Sequence, residues 1–416
     1  MSNSRARAAA AAALFVFACA TAHAQGKNET IRPEVGKPLQ AAQDLIKAQK
    51  PNDALVEISK ADTVANKTPL ESYLIDRLRA SAAAAAGDAP TAVKSFEAVI
   101  ASGRLTPAEQ LPMLQALAGS YYRAKDYPKA IAWAARALKE GGADREMRLL
   151  LIHSYYQNAE YESAAQEALA DIEADEKAGN KPDEQRLLIL ANSYLNLKDE
   201  TRYAYGLEKL VAYYPKKEYW ADLIARTQRK PTFADRLAID LQRLRFSLGE
   251  MQAADYMELA QNALTAGYPG EAKRVVDKGY ASGVLGAGAD ADRHKRMRDL
   301  VEKKLAEDRK ELASAKVEAA ADARKDDGAA LLSLGYAYVS DGQYEKGLAL
   351  MERAFRKGAG EESSVNKKPQ DNKLHLGIAY LQAGRKDKAI EMFRQVSGAH
   401  GAADMARLWL IHARQT

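Results

Sequence analysis

Histidine and cysteine, the residues that most often bind metals or act as bases and nucleophiles, are few and widely spaced. The 416-residue sequence has six histidines and one cysteine. They are His23, His153, His294, His375, His400, His412 and Cys19. No two histidines show the His-x-x-x-His spacing that presents two imidazoles on one face of a helix to zinc. We therefore expect no metal site and no cofactor.

Glycine and serine motifs give no better support for catalysis. Gly279, Gly283, Gly286 and Gly288 lie close together, as in phosphate-binding loops. No Gly-Lys-Ser/Thr follows them and no strand pattern precedes them, so a flexible connection is the better interpretation. A Gly-x-Ser-x-Gly elbow is also missing. A Ser/His/Asp group built from distant residues is unsupported but stays open, and we predict a protein that is not an enzyme.

Small and aromatic residues recur at a fixed spacing and predict paired helices. Tyr338 and Tyr380 each follow a glycine by three positions, and Gly347 and Ala389 follow these tyrosines by nine. The pattern returns around three earlier tyrosines, Tyr121, Tyr155 and Tyr194. Small residues at these places let two helices approach closely, and the tyrosines are expected to fill the space between them. One predicted helix departs from the pattern, because Arg236 occupies the usual alanine place.

This spacing resembles the tetratricopeptide repeat, a unit of two antiparallel helices. The resemblance implies an all-α solenoid, a right-handed superhelix of about nine or ten helix-turn-helix repeats. Arrays of this kind usually bind proteins or peptides and rarely perform chemistry. Net charge is only +5, from 61 basic and 56 acidic residues. Because no basic cluster is interleaved with aromatics, we expect no nucleic-acid partner.

The N-terminus has the pattern of an export signal. Arg5 and Arg7 precede an apolar run that ends near Ala22-His23-Ala24, where small residues suit a signal peptidase. We expect cleavage after Ala24, a periplasmic mature protein and no later transmembrane segment. Residues 16–19 loosely resemble a lipoprotein box, and the alternative is an outer-membrane lipoprotein anchored through Cys19 and acting in envelope assembly.

Composition divides the rest of the chain into four segments. They are a flexible leader at 25–37, N-terminal and central repeats at 38–289, a charged degenerate helix pair or linker at 290–328, and C-terminal repeats at 329–416. The last segment is predicted to end in a capping helix, Ala402–Ala413, that covers the open face of the final repeat.

A narrower resemblance covers about residues 184–416. It rests on Pro215, Tyr219-Trp220, Tyr256–Ala260, Gly267–Ala272, Lys278–Val284, His375–Tyr380 and Trp409-Leu410. These segments look like the proteobacterial tetratricopeptide proteins proposed as accessory components of TonB systems. The resemblance implies a periplasmic scaffold associated with outer-membrane transport, with TonB-system or transport components as partners.

In the geometry of tetratricopeptide repeats, the ninth, twelfth and thirteenth places of the first helix face the concave groove. Here the corresponding strip, with its extensions, consists of Tyr122, Arg123, His153, Tyr156, Gln157, Asn192 and Asn196. Tyrosine and arginine dominate binding hot spots, and we predict that a protein segment binds there. The alternatives are ordinary packing or solvated surface for the strip, and a ligand-binding or enzymatic module with an inter-repeat pocket for the protein.

Overall fold

The computed structural model describes residues 29–141, 144–249, 251–398 and 401–416. The predicted signal peptide at 1–24, and Cys19 within it, lie outside these residues. Over the described ranges the chain forms 21 α-helices and one short 3-10 helix, with no strand. The all-α prediction is confirmed. No helix in these ranges combines the length and apolar character needed to cross a bilayer.

The chain divides into two compact units, residues 1–173 and 174–416. The first contains α1 Pro33–Lys47, α2 Pro51–Asp62, α3 Pro69–Ala86, α4 Ala89–Ala101, α5 Pro107–Arg123, α6 Tyr127–Gly141, α7 Arg145–Gln157 and most of α8 Tyr161–Lys177. The second contains α9 Glu184–Asn196, α10 Glu200–Tyr213, α11 Lys217–Arg229, α12 Ala238–Leu248, α13 Ala253–Thr265, α14 Pro269–Ala281, α15 Ala291–Leu312, α16 Ala315–Asp322, α17 Ala329–Ser340, α18 Tyr344–Arg356, α19 Pro369–Gln382, α20 Lys386–Arg394 and α21 Ala402–Gln415. Taken in order, these are ten helix-turn-helix pairs and a final helix, in agreement with the predicted nine or ten repeats.

Turns within the pairs are built alike. A residue with left-handed backbone follows the first helix, such as Lys125 with φ 61°, Gly342 with φ 85° and Gly384 with φ 71°. The backbone N–H of the following residue then donates to the carbonyl of the tyrosine in the repeat pattern, as Asp126 does to Tyr121 at 3.0 Å. Glycine adopts this backbone without the steric cost that Lys125 bears. The local sequence thereby reverses the chain at the same place in successive pairs.

The small residues lie where the two helices of a pair meet. Ala130 in α6 and Ala389 in α20 are fully buried. At Gly347 in α18 a Cβ atom would lie 2.6 Å from the carbonyl oxygen of Gly335 in α17, closer than two such atoms can approach. The predicted role of these positions follows from this contact, since a larger side chain would force the helices apart.

The tyrosines of the repeat pattern are mostly buried between helices, and the hydroxyl groups of Tyr121 and Tyr380 donate to acceptors in the preceding helix. Tyr121 Oη donates to Glu97 Oε1 at 2.6 Å and Tyr380 Oη donates to Glu352 Oε1 at 2.8 Å. Burial, with the facing carboxylates, raises the pKa of both tyrosines above the usual value. These side chains therefore join adjacent pairs as neutral hydrogen-bond donors.

The second unit closes on itself through its last helix. Helix α21 packs against α19 and α20, and also against α10 and α12 far earlier in the chain. Trp409 stacks on Phe393 with ring centroids 6.2 Å apart. Lys230, which follows α11, donates to Asp404 Oδ1 at 2.9 Å. In this unit the C-terminal helices thus contact more than their neighbours in sequence.

Candidate functional site

Five residues of the predicted strip lie at the C-terminal ends of two first helices in the first unit. Tyr122 and Arg123 end α5, and His153, Tyr156 and Gln157 lie in the second half of α7. Helices α5 and α7 contact each other. The structure thus places these five residues on equivalent parts of two adjacent helices.

The two tyrosines of the strip make the same contact in successive pairs. Tyr122 packs edge-on against Tyr127, with ring centroids 5.8 Å apart and an interplanar angle of 63°. Tyr156 packs against Tyr161 in the same way, at 5.6 Å and 67°. Each ring is half-buried, and each pair spans the turn between two helices. Part of each tyrosine is therefore committed to packing, and the rest faces solvent.

The other strip residues are more open or belong to the second unit. Arg123 and Gln157 are exposed, and Arg123 Nη2 donates to Ser120 Oγ at 3.1 Å. Asn192 and Asn196 lie in α9, where the Asn196 amide donates to the Asn192 carbonyl at 2.7 Å. Five strip residues thus belong to one unit and two to the other.

A buried cluster of charged side chains lies in the second unit, and the repeat pattern did not predict it. Arg243 in α12 is 4 % exposed. Its Nε and Nη2 donate to the two carboxylate oxygens of Glu271 in α14, at 2.8 and 2.7 Å. Its Nη1 donates to Asp240 Oδ1 at 2.7 Å. This two-oxygen geometry is the strongest arrangement open to an arginine and offsets the cost of burying the charges.

Aromatic rings cover the same arginine. The Arg243 guanidinium lies 4.8 Å from the ring centroid of Tyr336 and 5.8 Å from that of Tyr268. The two tyrosines pack edge-on at 4.7 Å. Burial raises the pKa of both tyrosines, even though the charge of Arg243 opposes this shift. Helices α12, α14 and α17 therefore meet around the charged and almost completely buried side chain of Arg243.

Two polar side-chain contacts connect this part of the unit to α19. His375 Nε2 lies 3.0 Å from Asp240 Oδ2. Arg236 pairs with Asp371 through both of its carboxylate oxygens, at 2.5 and 3.0 Å. Burial favours the neutral form of Asp240, but His375 and Arg243 outweigh it and lower the pKa of this carboxyl group. The sequence signal for these contacts was Arg236, the residue that breaks the repeat pattern.

No group of three or more His, Cys, Asp or Glu side chains suited to a metal ion occurs in the part of the chain that the structure describes. His294 bonds instead to the backbone, where its Nδ1 accepts from the Gly286 N–H at 3.1 Å. This contact fixes the connection between α14 and α15.

Successive antiparallel helix pairs, with small residues at their crossings, define an α-solenoid repeat protein. The family model described as tetratricopeptide repeat matches residues 187–217 and 371–400. These segments cover most of the pairs α9–α10 and α19–α20, so the chain contains tetratricopeptide repeats. A search of the curated proteins found no significant match.

Several solved structures show a similarity to this chain that covers most of its length at low sequence identity. The TPR2AB domain of yeast Sti1, in a complex with pHSP90, is 11% identical with a TM-score of 0.25, and the match covers 74% of this chain and 100% of that one. Yeast Tom70 is 12% identical with a TM-score of 0.23, covering 92% and 96%. RapI is 14% identical with a TM-score of 0.29, covering 66% and 98%. Similarity at this level does not carry a partner from those proteins to this chain.

Proposed function

We propose that this protein is a non-catalytic tetratricopeptide scaffold that binds a protein segment on the strip residues of the first unit, which are Tyr122, Arg123, His153, Tyr156 and Gln157. The observation that carries the proposal is the tyrosine pair repeated in α5–α6 and α7–α8. In each pair one ring is held by its neighbour yet half-exposed, and such pre-organised aromatics bind at low entropic cost. Arg123 and Gln157 adjoin these rings and supply donors to backbone carbonyls of an extended segment.

The proposal extends to location and partner. The N-terminal signal pattern supports export to the periplasm, and the resemblance of about residues 184–416 supports a partner among TonB-system or outer-membrane transport components. Attachment to the outer membrane through Cys19 is the alternative for location. Sequencing the N-terminus of the mature protein tests both: Gln25 supports soluble export, whereas a lipid on Cys19 supports anchoring.

Site-specific photo-crosslinking in cells tests the strip directly. A photoreactive amino acid is placed at Arg123 or Gln157, which are exposed at the strip. The matched control position is Lys139, which is exposed on the second helix α6. We expect one defined protein adduct from the strip positions and none from Lys139. Equal adducts from all three positions would contradict binding at the strip.

Truncation of the rings then measures their contribution. Tyr122→Ala and Tyr156→Ala should each weaken binding of the crosslinked partner by about 1–2 kcal/mol, as expected of interface hot spots. Circular dichroism is recorded on both variants, because loss of the Tyr127 or Tyr161 contact also costs packing. Binding that falls only together with helix content would assign the tyrosines to packing alone.

A further inference from the structure

The second unit contains a cavity beside the buried charge cluster. Its volume is about 250 Å³. It is partly open to solvent, and residues of four helices line it: α12, α14, α19 and α21. The lining side chains are Arg243, Phe246, Ser247, Glu271, Arg274, Lys278, Leu381, Gln382 and Trp409. Because α12 and α14 belong to central repeats and α19 and α21 to C-terminal ones, a ligand here would contact both parts of the unit.

The lining carries more positive than negative charge. Arg243 already pairs with both Glu271 and Asp240, so it has no need of a further anion. Arg274 and Lys278 form no ion pair among the described residues. Arg274 Nη2 donates only to the neutral Gln382, at 3.1 Å. Lys278 Nζ donates to the Phe246 carbonyl at 3.1 Å and lies 4.6 Å from that ring's centroid. Arg274 therefore has no carboxylate partner among the described residues, and the exposed Lys278 adds positive charge at the edge of the cavity.

Two hydrogen-bond donors of the lining also lack acceptors. Arg274 Nε and Trp409 Nε1 are buried and have no partner within the described parts of the chain. Trp409 as a whole is only 3 % exposed. Buried donors without acceptors are rare in folded proteins and destabilise them, so each requires an explanation. An acceptor brought by a ligand would satisfy both.

We propose that this cavity binds a small carboxylate with a short apolar or aromatic body. The carboxylate accepts hydrogen bonds from Arg274 Nε and Trp409 Nε1 and balances the charges of Arg274 and Lys278. Phe246 and Leu381 supply the apolar wall for the body. A carboxylate fits better than phosphate, because two single donors match two oxygens.

Access requires one side chain to move. Both donors are covered in this conformation. Gln382 is held only by its bond with Arg274 and by a long contact, at 3.4 Å, from its amide nitrogen to Tyr336 Oη. Rotation of Gln382 would free Arg274 Nη2 without breaking the ion pairs of Arg243, which do not involve Gln382. This site is separate from the protein-binding strip, and neither proposal depends on the other.

Isothermal titration of the mature full-length chain tests the assignment. The probes are hexanoate and phenylacetate, with hexanamide and phenylacetamide as neutral analogues of the same shape and inorganic phosphate as a different oxyanion. We expect heat from the carboxylates, at least tenfold weaker binding of the amides and weaker binding of phosphate. Absence of binding by both carboxylates at millimolar concentration, equal binding of the amides, or preference for phosphate would overturn the proposal.

Variants identify the atoms responsible. Arg274→Gln and Trp409→Phe each remove one donor while keeping most of the side-chain shape, and each should weaken carboxylate binding at least tenfold. The matched control is Lys273→Gln on the same helix, whose lysine pairs with Asp277 away from the cavity. It should leave affinity unchanged. Thermal unfolding of each variant confirms folding, and a folded Arg274→Gln protein with unaltered affinity would place the carboxylate elsewhere.

Discussion

His375 Nε2 lies 3.0 Å from Asp240 Oδ2, although 135 positions of sequence separate the two residues. Asp240 is fully buried and also accepts from Arg243. The contact ties α19, in a C-terminal repeat, to α12, in a central one. In an ideal linear array each repeat contacts only its neighbours, so this relationship marks the second unit as a closed arrangement.

Replacing the shared carboxylate should destabilise this unit. In Asp240→Asn, Arg243 keeps Glu271 but loses its second counter-charge, and His375 loses its anionic partner. We expect the free energy of unfolding to fall by about 3 kcal/mol, the magnitude typical of breaking a buried ion pair. Urea titration followed by circular dichroism measures it. The control is Asp235→Asn, five positions before Asp240 at an exposed place in the short 3-10 helix, which should change stability little.

Stability of the second unit should also fall on mild acidification because of His412. This residue is 6 % exposed, its Nε2 lies 2.5 Å from Ser247 Oγ, and burial lowers its pKa below the usual value near 6.5. Below that usual value the unfolded chain takes up a proton that the folded chain refuses, so stability decreases as pH falls through this range. Urea midpoints of wild type and His412→Gln against pH test this. A slope that persists unchanged in the variant would assign the effect to other groups.

The repeat pattern predicted much of the fold because it records contacts between residues close in sequence. Gly335 and Gly347 belong to one helix pair and Gly377 and Phe393 to another, and in both the repeat spacing indicates that the two residues meet. The sequence contains a second regularity, which concerns basic residues that follow the tyrosines. A basic residue eight positions after the tyrosine lies over its ring, as Lys346 does at 4.1 Å from the Tyr338 centroid.

The same regularity recurs in three other pairs and adds a cation–π contact to each. The distances from the basic group to the ring centroid are 4.8 Å for Lys129 and Tyr121, 4.8 Å for Arg202 and Tyr194, and 5.2 Å for Lys388 and Tyr380. Because the tyrosine and the basic residue are eight positions apart in all of these pairs, the sequence alone is sufficient to predict this contact.

The closure of the second unit could not be predicted from the repeat pattern, because it depends on contacts between residues far apart in the sequence. Arg236 has many acidic residues as alternative partners, and only the three-dimensional path of the chain selects Asp371. The cavity is a consequence of that closure, since its walls come from 243–278 and 381–409. Arg236 at an alanine position indicated that something unusual occurs there, but it did not identify the contact.

A carboxylate in the charged helix α15 should respond to pH in the opposite sense to His412. Burial raises the pKa of Asp308 to about 6, with further contributions from Asp341 and Glu311. A raised pKa means that the charged form is unfavourable in the folded state, so this group destabilises the protein above its folded pKa and ceases to do so in acid.

Asp308→Asn should therefore stabilise the protein by about 1 kcal/mol near neutral pH, a value reduced from the full shift because water screens a partly exposed group. The gain should shrink as pH falls toward the usual aspartate pKa of about 4. Paired urea titrations at neutral and acidic pH measure it. Asp299→Asn, at an exposed position of the same helix, is the control and should give no such pH-dependent gain.

Overpacking one repeat distinguishes a linear array from a closed unit. Ala389 is fully buried in α20, so Ala389→Leu should cost about 1–3 kcal/mol. Because α21 packs on α20 and also on α10 and α12, amide hydrogen exchange should accelerate in α19–α21 and also in 200–213 and 238–248. Helices α1–α6 of the first unit should keep their exchange rates. Glu391→Leu adds the same side chain at an exposed place on α20 and should leave all of these rates unchanged. Acceleration that spreads from α20 to α18 and α17 but never reaches α10 would show that the repeats respond as a simple row, and that the contacts of α21 with α10 and α12 contribute little to stability.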